Sequence, residues 1–192
     1  PAGATVVTTD ALVEGVHFRL DWTDWRSLGH KAVAVNLSDL AAMGATPAWA
    51  TLSITLPQAD RRWLKAFAQG FGDLARYHAV ALVGGDVSRG PLSVSVQAAG
   101  FVPRGKALRR GGARAGDAVY VSGTLGDAAL GLRLWQEKRA ALDTDSVWLT
   151  ARLHQPTPRV SLGMALRDCA SAAIDLSDGL AQDLGHILQA SR

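Results

Sequence analysis

The 192-residue chain has a single cysteine, Cys169. One thiol excludes an internal disulfide and a cysteine-built zinc site, and a reducing, cytoplasmic location is the expectation. Long apolar runs are absent too. Lys, Asp, Ser or Thr interrupt each one well before the ~20 residues of a membrane span, so no membrane partner is expected. Pro1-Ala2-Gly3-Ala4 has neither the basic region nor the apolar block of a signal peptide, and with no Met ahead of it the chain is expected to be an excerpt. Only Glu14 and Glu137 of the 17 acidic residues are glutamate; the rest are aspartate. Lysine is equally scarce, with Lys31, Lys65, Lys106 and Lys138 among 20 bases. The net charge is +3, with an isoelectric point near 9.4. No Lys/Arg run exceeds two residues, Arg61-Arg62 and Arg109-Arg110 among them, so no nucleic-acid footprint is expected. The Walker A, G-x-G-x-x-G, H-E-x-x-H and G-x-S-x-G patterns are missing. No Ser or Cys nucleophile stands paired to a base, which leaves covalent acyl chemistry without support.

What is present reads as a globular α/β or α+β protein. Hydrophobic residues make up 48% and charged residues 19%, and a chain this long should bury roughly 70% of its unfolded surface. Strand-like segments (4–9, 48–56, 79–83, 92–102, 118–122 and 171–175) interleave with helix-like ones (25–43, 60–77, 127–138, 160–168 and 178–190). A polar, less regular stretch lies between 139 and 158. Pro103-Arg104-Gly105 reads as a connection. The expectation is a two-lobed molecule: an N-terminal mixed-sheet lobe over 1–104, and a C-terminal α/β lobe over 105–192 with few strands to pair, hence incomplete.

The informative pattern is where particular aspartates fall. Asp10 is expected to end the first strand, and Asp86 to follow the 79–83 strand through Gly84-Gly85. Asp175 and Asp178 flank the turn into the last helix. Asp39 lies late in an Ala-rich helix, on the same face as Asn36, with Lys31 about two turns earlier. Ligands collect in loops at the carboxyl ends of α/β strands. Carboxylates converging there repel one another unless hard cations intervene; with no His or Cys cluster, Mg²⁺ shared with phosphates is the natural partner. Each residue also has a plainer reading. Asp10 could start a turn, Asp178 could cap the last helix, Gly84-Gly85 could be a turn only, and His17 could be a surface histidine.

The strings TTDALVEGVHF (8–18), KAVAVNLSDLAAMGATPAW (31–49), GGDVSRGPLSVSV (84–96), GFVPRGKALRRGGARAGDAVYVSGTLGDAALGL (100–132) and IDLSDGLAQDLGHI (174–187) together resemble the thiamine-monophosphate kinases. These belong to a family shared with aminoimidazole-ribonucleotide synthetase, selenophosphate synthetase and a hydrogenase maturation factor. The resemblance covers nearly the whole chain in order. It implies ATP-dependent phosphorylation of thiamine monophosphate to thiamine diphosphate. It also implies a homodimer whose N-terminal lobes pair their sheets, with ATP bound between lobes and across the dimer groove. By motif position, Thr8, Thr9, Asp10, Asp39, Asp86, Asp175 and Asp178 match magnesium-binding positions, with Asp39, Asp86 and Asp175 as the catalytic carboxylates. Gly85, Asp86, Arg110 and Ser177 match ATP contacts, and His17 matches a substrate contact. The resemblance further implies a glycine-acid-acid motif ahead of residue 1 and pocket residues beyond Arg192. Val87 stands where the family often has Thr. A sister enzyme with another acceptor, or a non-catalytic dimerisation module, are the alternatives. Phosphoryl transfer to a phosphate oxygen that is already ionised needs positioning and charge neutralisation more than a protein base, which suits a site of Asp and Mg²⁺.

Overall fold

The computed structural model describes residues 3–138 and 143–192. Four strands form one mixed sheet in the order β1-β4-β2-β3: β1 (Gly3–Val13), β2 (Thr46–Leu56), β3 (Ala81–Arg89) and β4 (Ser93–Pro103). β4 runs antiparallel to both β1 and β2, while β2 and β3 are parallel. The parallel pair needs a crossover, which α2 (Arg61–Tyr77) supplies. The helix α1 (Trp25–Ala42) joins β1 to β2.

Both helices start as their residues dictate. Asp24 caps α1 by accepting from the Ser27 N–H at 2.9 Å, and Asp60 caps α2 by accepting from the Arg62 N–H at 2.7 Å. In α2, Trp63, Phe67, Phe71 and Leu74 recur at helical spacing and are buried. Burying each such side chain contributes about 2 kcal/mol. α1 is buried more widely, with Leu28, Val33, Leu37 and Leu40 in the core. They meet Val94, Val96, Ala98, Ala50 and Ile54 from one face of the sheet. Among the described residues no helix covers the other face: Val7, Val13 and Phe101 are 53%, 36% and 44% exposed.

The two helices touch backbone to backbone. A Cβ at Gly29 would lie 2.1 Å from the Phe67 carbonyl oxygen, and one at Gly70 only 1.8 Å from that of Arg26. Gly70, which weakens α2 as a sequence, is thus the residue that lets α1 approach.

Beyond β4 come α3 (Asp127–Gln136), α4 (Thr144–His154), α5 (Val160–Ala165), a 3₁₀ turn (Leu166–Asp168) and α6 (Leu180–Ala190). Among the described residues of this half, Val160 is the one buried member of the main core cluster, with Met164 packed against it. Three expectations are corrected here. Residues 118–122 and 171–175 form no strand: strand-formers need a neighbour to take their backbone hydrogen bonds, and these segments have none among the described residues. Val119 and Tyr120 are 65% and 89% exposed. The stretch 139–158 is less irregular than expected, because Asp143 accepts from the Ser146 N–H at 3.0 Å and starts α4; residues 139–142 lie outside the described part. Finally, Asp10 and Asp86 lie within strands and not past their ends. Asp10 pairs with Val96 and β1 continues to Val13, while Asp86 pairs with Ser53 in the middle of β3.

Candidate functional site

Period-two alternation sends Thr8, Asp10 and Leu12 of β1 to one face of the sheet, the face covered by α1. Leu12 packs into the core, and the Thr8 hydroxyl donates to the Asp39 carboxylate. Asp39 sits in the last turn of α1, where its carbonyl accepts from the Met43 N–H at 3.1 Å. Asp175 arrives from the irregular segment ahead of α6. Its Oδ2 accepts from Ser38 Oγ at 3.1 Å and from Ser177 Oγ at 3.2 Å. Ser38 therefore ties the C-terminal half of the chain to α1. One hydroxyl reaches Oδ2 of Asp39 and two reach Oδ2 of Asp175, and among the described residues no donor reaches their Oδ1 atoms.

The three carboxylates feel one another. Burial pushes Asp39 up to about 6, the Thr8 hydrogen bond opposes it, the charges of Asp175 and Asp10 add to it, and Arg110 works against it. Asp10 is raised as well, first by burial and then by Asp175, with His17 pulling it back down. His17 follows β1 and is held to its end, its Nδ1 accepting from the Val13 N–H at 3.0 Å. Thr8, Asp10, His17, Asp39, Arg110, Asp175 and Ser177 are brought together from regions far apart in sequence.

The remaining expected residues stand apart. The Thr9 side chain alternates to the opposite face of β1, where its hydroxyl donates to the Val96 carbonyl at 3.2 Å. Asp86 lies on the edge strand, three strand spacings from β1, or roughly 14 Å, and accepts from Ser88 Oγ at 2.6 Å. Gly85 has a packing reason of its own, since a Cβ there would lie 1.9 Å from the Leu52 carbonyl oxygen. Asp178 is not the cap of α6. Gly179 holds that position, and the Asp178 carboxylate accepts from Gln182 Nε2 at 2.8 Å. Asn36 is fully buried and turns back to its own helix, its Nδ2 donating to the Ala32 carbonyl at 3.0 Å.

Sequence reading passed over two residues. Ser38 gave no signal beyond preceding Asp39. Asp183 was not singled out; it is buried, its Oδ2 accepting from the backbone N–H groups of Ser177, Asp178 and Gly179 at 3.0, 3.1 and 3.1 Å.

The donor set is all oxygen: three carboxylates, three hydroxyls and no thiol. It fits a hard divalent cation and not zinc. Among the described residues no three His, Cys, Asp or Glu side chains close around a single ion position. An ion here would take its other ligands from water or a bound phosphate, as Mg²⁺ commonly does. The raised Asp39 fits the same reading, because a cation would relieve the like-charge repulsion.

A family model described as AIR synthase related protein, N-terminal domain, matches residues 1–102. Thiamine-monophosphate kinase of Salmonella typhimurium is 53% identical over 186 residues, which take in 96% of this chain and 57% of the relative. The crystal structure of thiamine-monophosphate kinase from Stenotrophomonas maltophilia K279a superposes with a TM-score of 0.96 at 55% identity, covering 99% of this chain and 61% of that one. A solved structure of AaThiL complexed with AMPPCP and TMP has a TM-score of 0.93 at 35% identity, covering 99% of this chain and 61% of that one. The chain spans a little over half the length of the curated relatives it matches. Because the family model takes in the whole sheet as far as Val102 in β4, and both helices that cover it, this chain belongs to the AIR synthase related family.

Proposed function

We propose that this chain is the nucleotide- and metal-binding part of a thiamine-monophosphate kinase, which transfers the γ-phosphoryl group of ATP to the phosphate of thiamine monophosphate. The observation that carries the reading is that the charges of Asp10, Asp39 and Asp175, from β1, α1 and the segment before α6, act on one another, with Arg110 and His17 acting the other way. Such a site suits a metal–phosphate complex. The high identity to thiamine-monophosphate kinases supports the acceptor. The AaThiL complex supports the pair of ligands, since AMPPCP is an ATP analogue that cannot transfer its terminal phosphoryl group.

In this reading Asp10, Asp39 and Asp175 hold Mg²⁺, with Thr8, Thr9, Asp86 and Asp178 as further magnesium-site residues. When held by these residues, Mg²⁺ would supply neutralisation of the charge developing on the phosphates. Gly85, Asp86, Arg110 and Ser177 contact ATP, Arg110 by adding positive charge, and His17 contacts the thiamine substrate. The protein acts as a cytoplasmic homodimer with lobes over 1–104 and 105–192. The bare sheet face with Val7, Val13 and Phe101, continued by the fully exposed edge strand β3, supports pairing of two copies there. A nucleotide lying across the groove between copies gives Gly85 and Asp86 access to it without reaching Asp39 of their own chain.

A coupled assay on the full-length protein with Mg-ATP tests this. Thiamine diphosphate should form from thiamine monophosphate, and not from thiamine. No product at saturating Mg-ATP ends the reading, and turnover of an aminoimidazole precursor instead would assign a sister activity.

The pH dependence follows from Asp39. Its carboxyl is protonated below about 6 and ionised above it. Affinity for Mg²⁺ should therefore rise with pH through that value and level off above neutrality, and binding near pH 6 should release a proton. Folding has the opposite sign. Folded Asp39 holds its proton more tightly than an unfolded one with the ordinary value of 3.8, so the metal-free fold loses stability as pH rises from there to about 6. Titration calorimetry between about pH 5 and pH 8 measures the first effect, and a flat affinity contradicts it.

A further inference from the structure

We propose that Asp183 is a positioning residue that holds the 175–179 loop in the shape the metal–nucleotide complex needs. The proposal rests on the function proposed above and adds a residue to it.

Asp183 is the one buried acidic side chain among the described residues, at 4% exposure. It lies in the first turn of α6, and no Lys or Arg among the described residues pairs with it. Its charge is met by backbone alone. Three successive N–H groups, of Ser177, Asp178 and Gly179, converge on its Oδ2. Consecutive N–H groups turned to one side form a concavity that favours an anion. Asp183 fills that concavity from within the chain.

Two consequences follow. The helix has no cap at the usual place, because Gly179 has no side chain and the Asp178 carboxylate is engaged by Gln182. Asp183 does the capping from inside the first turn, and the chain must bend back sharply to permit it; Gly179 makes that bend at φ 111°. The bend fixes Ser177, whose hydroxyl holds Oδ2 of Asp175 and leaves Oδ1 free. The second consequence concerns phosphate. An open nest of three N–H groups at a helix start is itself a phosphate cradle. With Asp183 seated in it, a nucleotide phosphate is kept out and is left to the cations that Asp175 helps hold. Asp183 itself is buried and has its Oδ2 saturated, so it acts through the loop and not on the reacting atoms.

The test uses the full-length protein and three variants: Asp183→Ala, Asp183→Asn and, as reference, Asp175→Asn. Amide hydrogen exchange without metal reads the loop directly. Ser177, Asp178 and Gly179 should be protected in the parent, lose protection in Asp183→Ala and keep part of it in Asp183→Asn. Equilibrium titration with Mg²⁺ and AMPPCP reads the consequence: Asp183→Ala should bind roughly 10- to 100-fold more weakly, as supporting residues of metal sites do. Asp183→Asn should fall between. A purely structural role would lower the melting temperature and leave the affinity of the folded protein unchanged. If Asp175→Asn weakens binding but both Asp183 variants bind and exchange like the parent, this proposal alone is overturned. If Asp175→Asn binds like the parent, the site reading fails and takes this proposal with it. Should Asp183→Ala not fold, the near-isosteric Asp183→Asn decides, and parental exchange and affinity in it refute the role.

Discussion

Replacing Asp39 by asparagine in the full-length protein should lower turnover roughly 100- to 10,000-fold and leave the fold intact, since a bound metal supplies several kcal/mol of charge stabilisation to the transition state. Asparagine has nearly the same shape, and its carbonyl oxygen can still accept from the Thr8 hydroxyl. What it removes is a negative charge that sits half-buried beside two others. The metal-free variant should thus melt no lower than the parent, because the repulsion from Asp10 and Asp175 is gone. The variant would hold the cation less well and lose with it the charge neutralisation the cation would supply to the phosphates. Steady-state kinetics with Mg-ATP and a thermal melt measure both halves. Parental turnover in Asp39→Asn would remove the residue from the site.

The largest effect on stability should come from a single methyl group in α2. Gly70→Ala puts a Cβ 1.8 Å from the Arg26 carbonyl oxygen in α1, a backbone atom that cannot swing away. The helices must separate where they cross, and the Trp63, Phe67 and Phe71 packing opens with them. The expected loss is about 2–4 kcal/mol, since overpacking outweighs the helix propensity gained. Gly72, two residues on, is the control. A Cβ there meets only the guanidinium end of Arg76, at 3.0 Å, which can move. Gly72→Ala should therefore raise stability by roughly 0.5–1 kcal/mol. Denaturant midpoints of the two variants, moving in opposite directions, check the account; a shared direction contradicts it.

The first half of the fold was legible because its signals are local. Asp60 sits ahead of α2 as a cap, and Trp63, Phe67 and Phe71 repeat at helical spacing. The strands β2 and β4 alternate as half-buried strands do. In the second half, the Val119–Val121 run has strand-forming residues and, among the described residues, no strand to pair with, so propensity misled. The site was legible in its carboxylates but not in its supports. Acids in several separated motifs suggested a shared cation, and the charges of Asp10 and Asp175 do act on Asp39. The strand ends foreseen for Asp10 and Asp86 were wrong: β1 stays paired with β4 as far as Val13, and Gly84 and Gly85 run inside β3, where at Gly85 only a residue without Cβ clears the Leu52 carbonyl. Asp183 was hidden for another reason. A first-turn acid is nearly always read as facing water, and only the backward bend at Gly179 brings three N–H groups onto it.

The most direct measurement is anomalous diffraction from crystals of the full-length protein grown with Mn²⁺ and AMPPCP, with Mn²⁺ standing in for another hard, oxygen-seeking ion. The account predicts an anomalous peak about 2 Å from a carboxylate oxygen of Asp39 or Asp175, shared with the phosphates of the nucleotide. A bound nucleotide whose ions lie away from Asp10, Asp39 and Asp175 would contradict it.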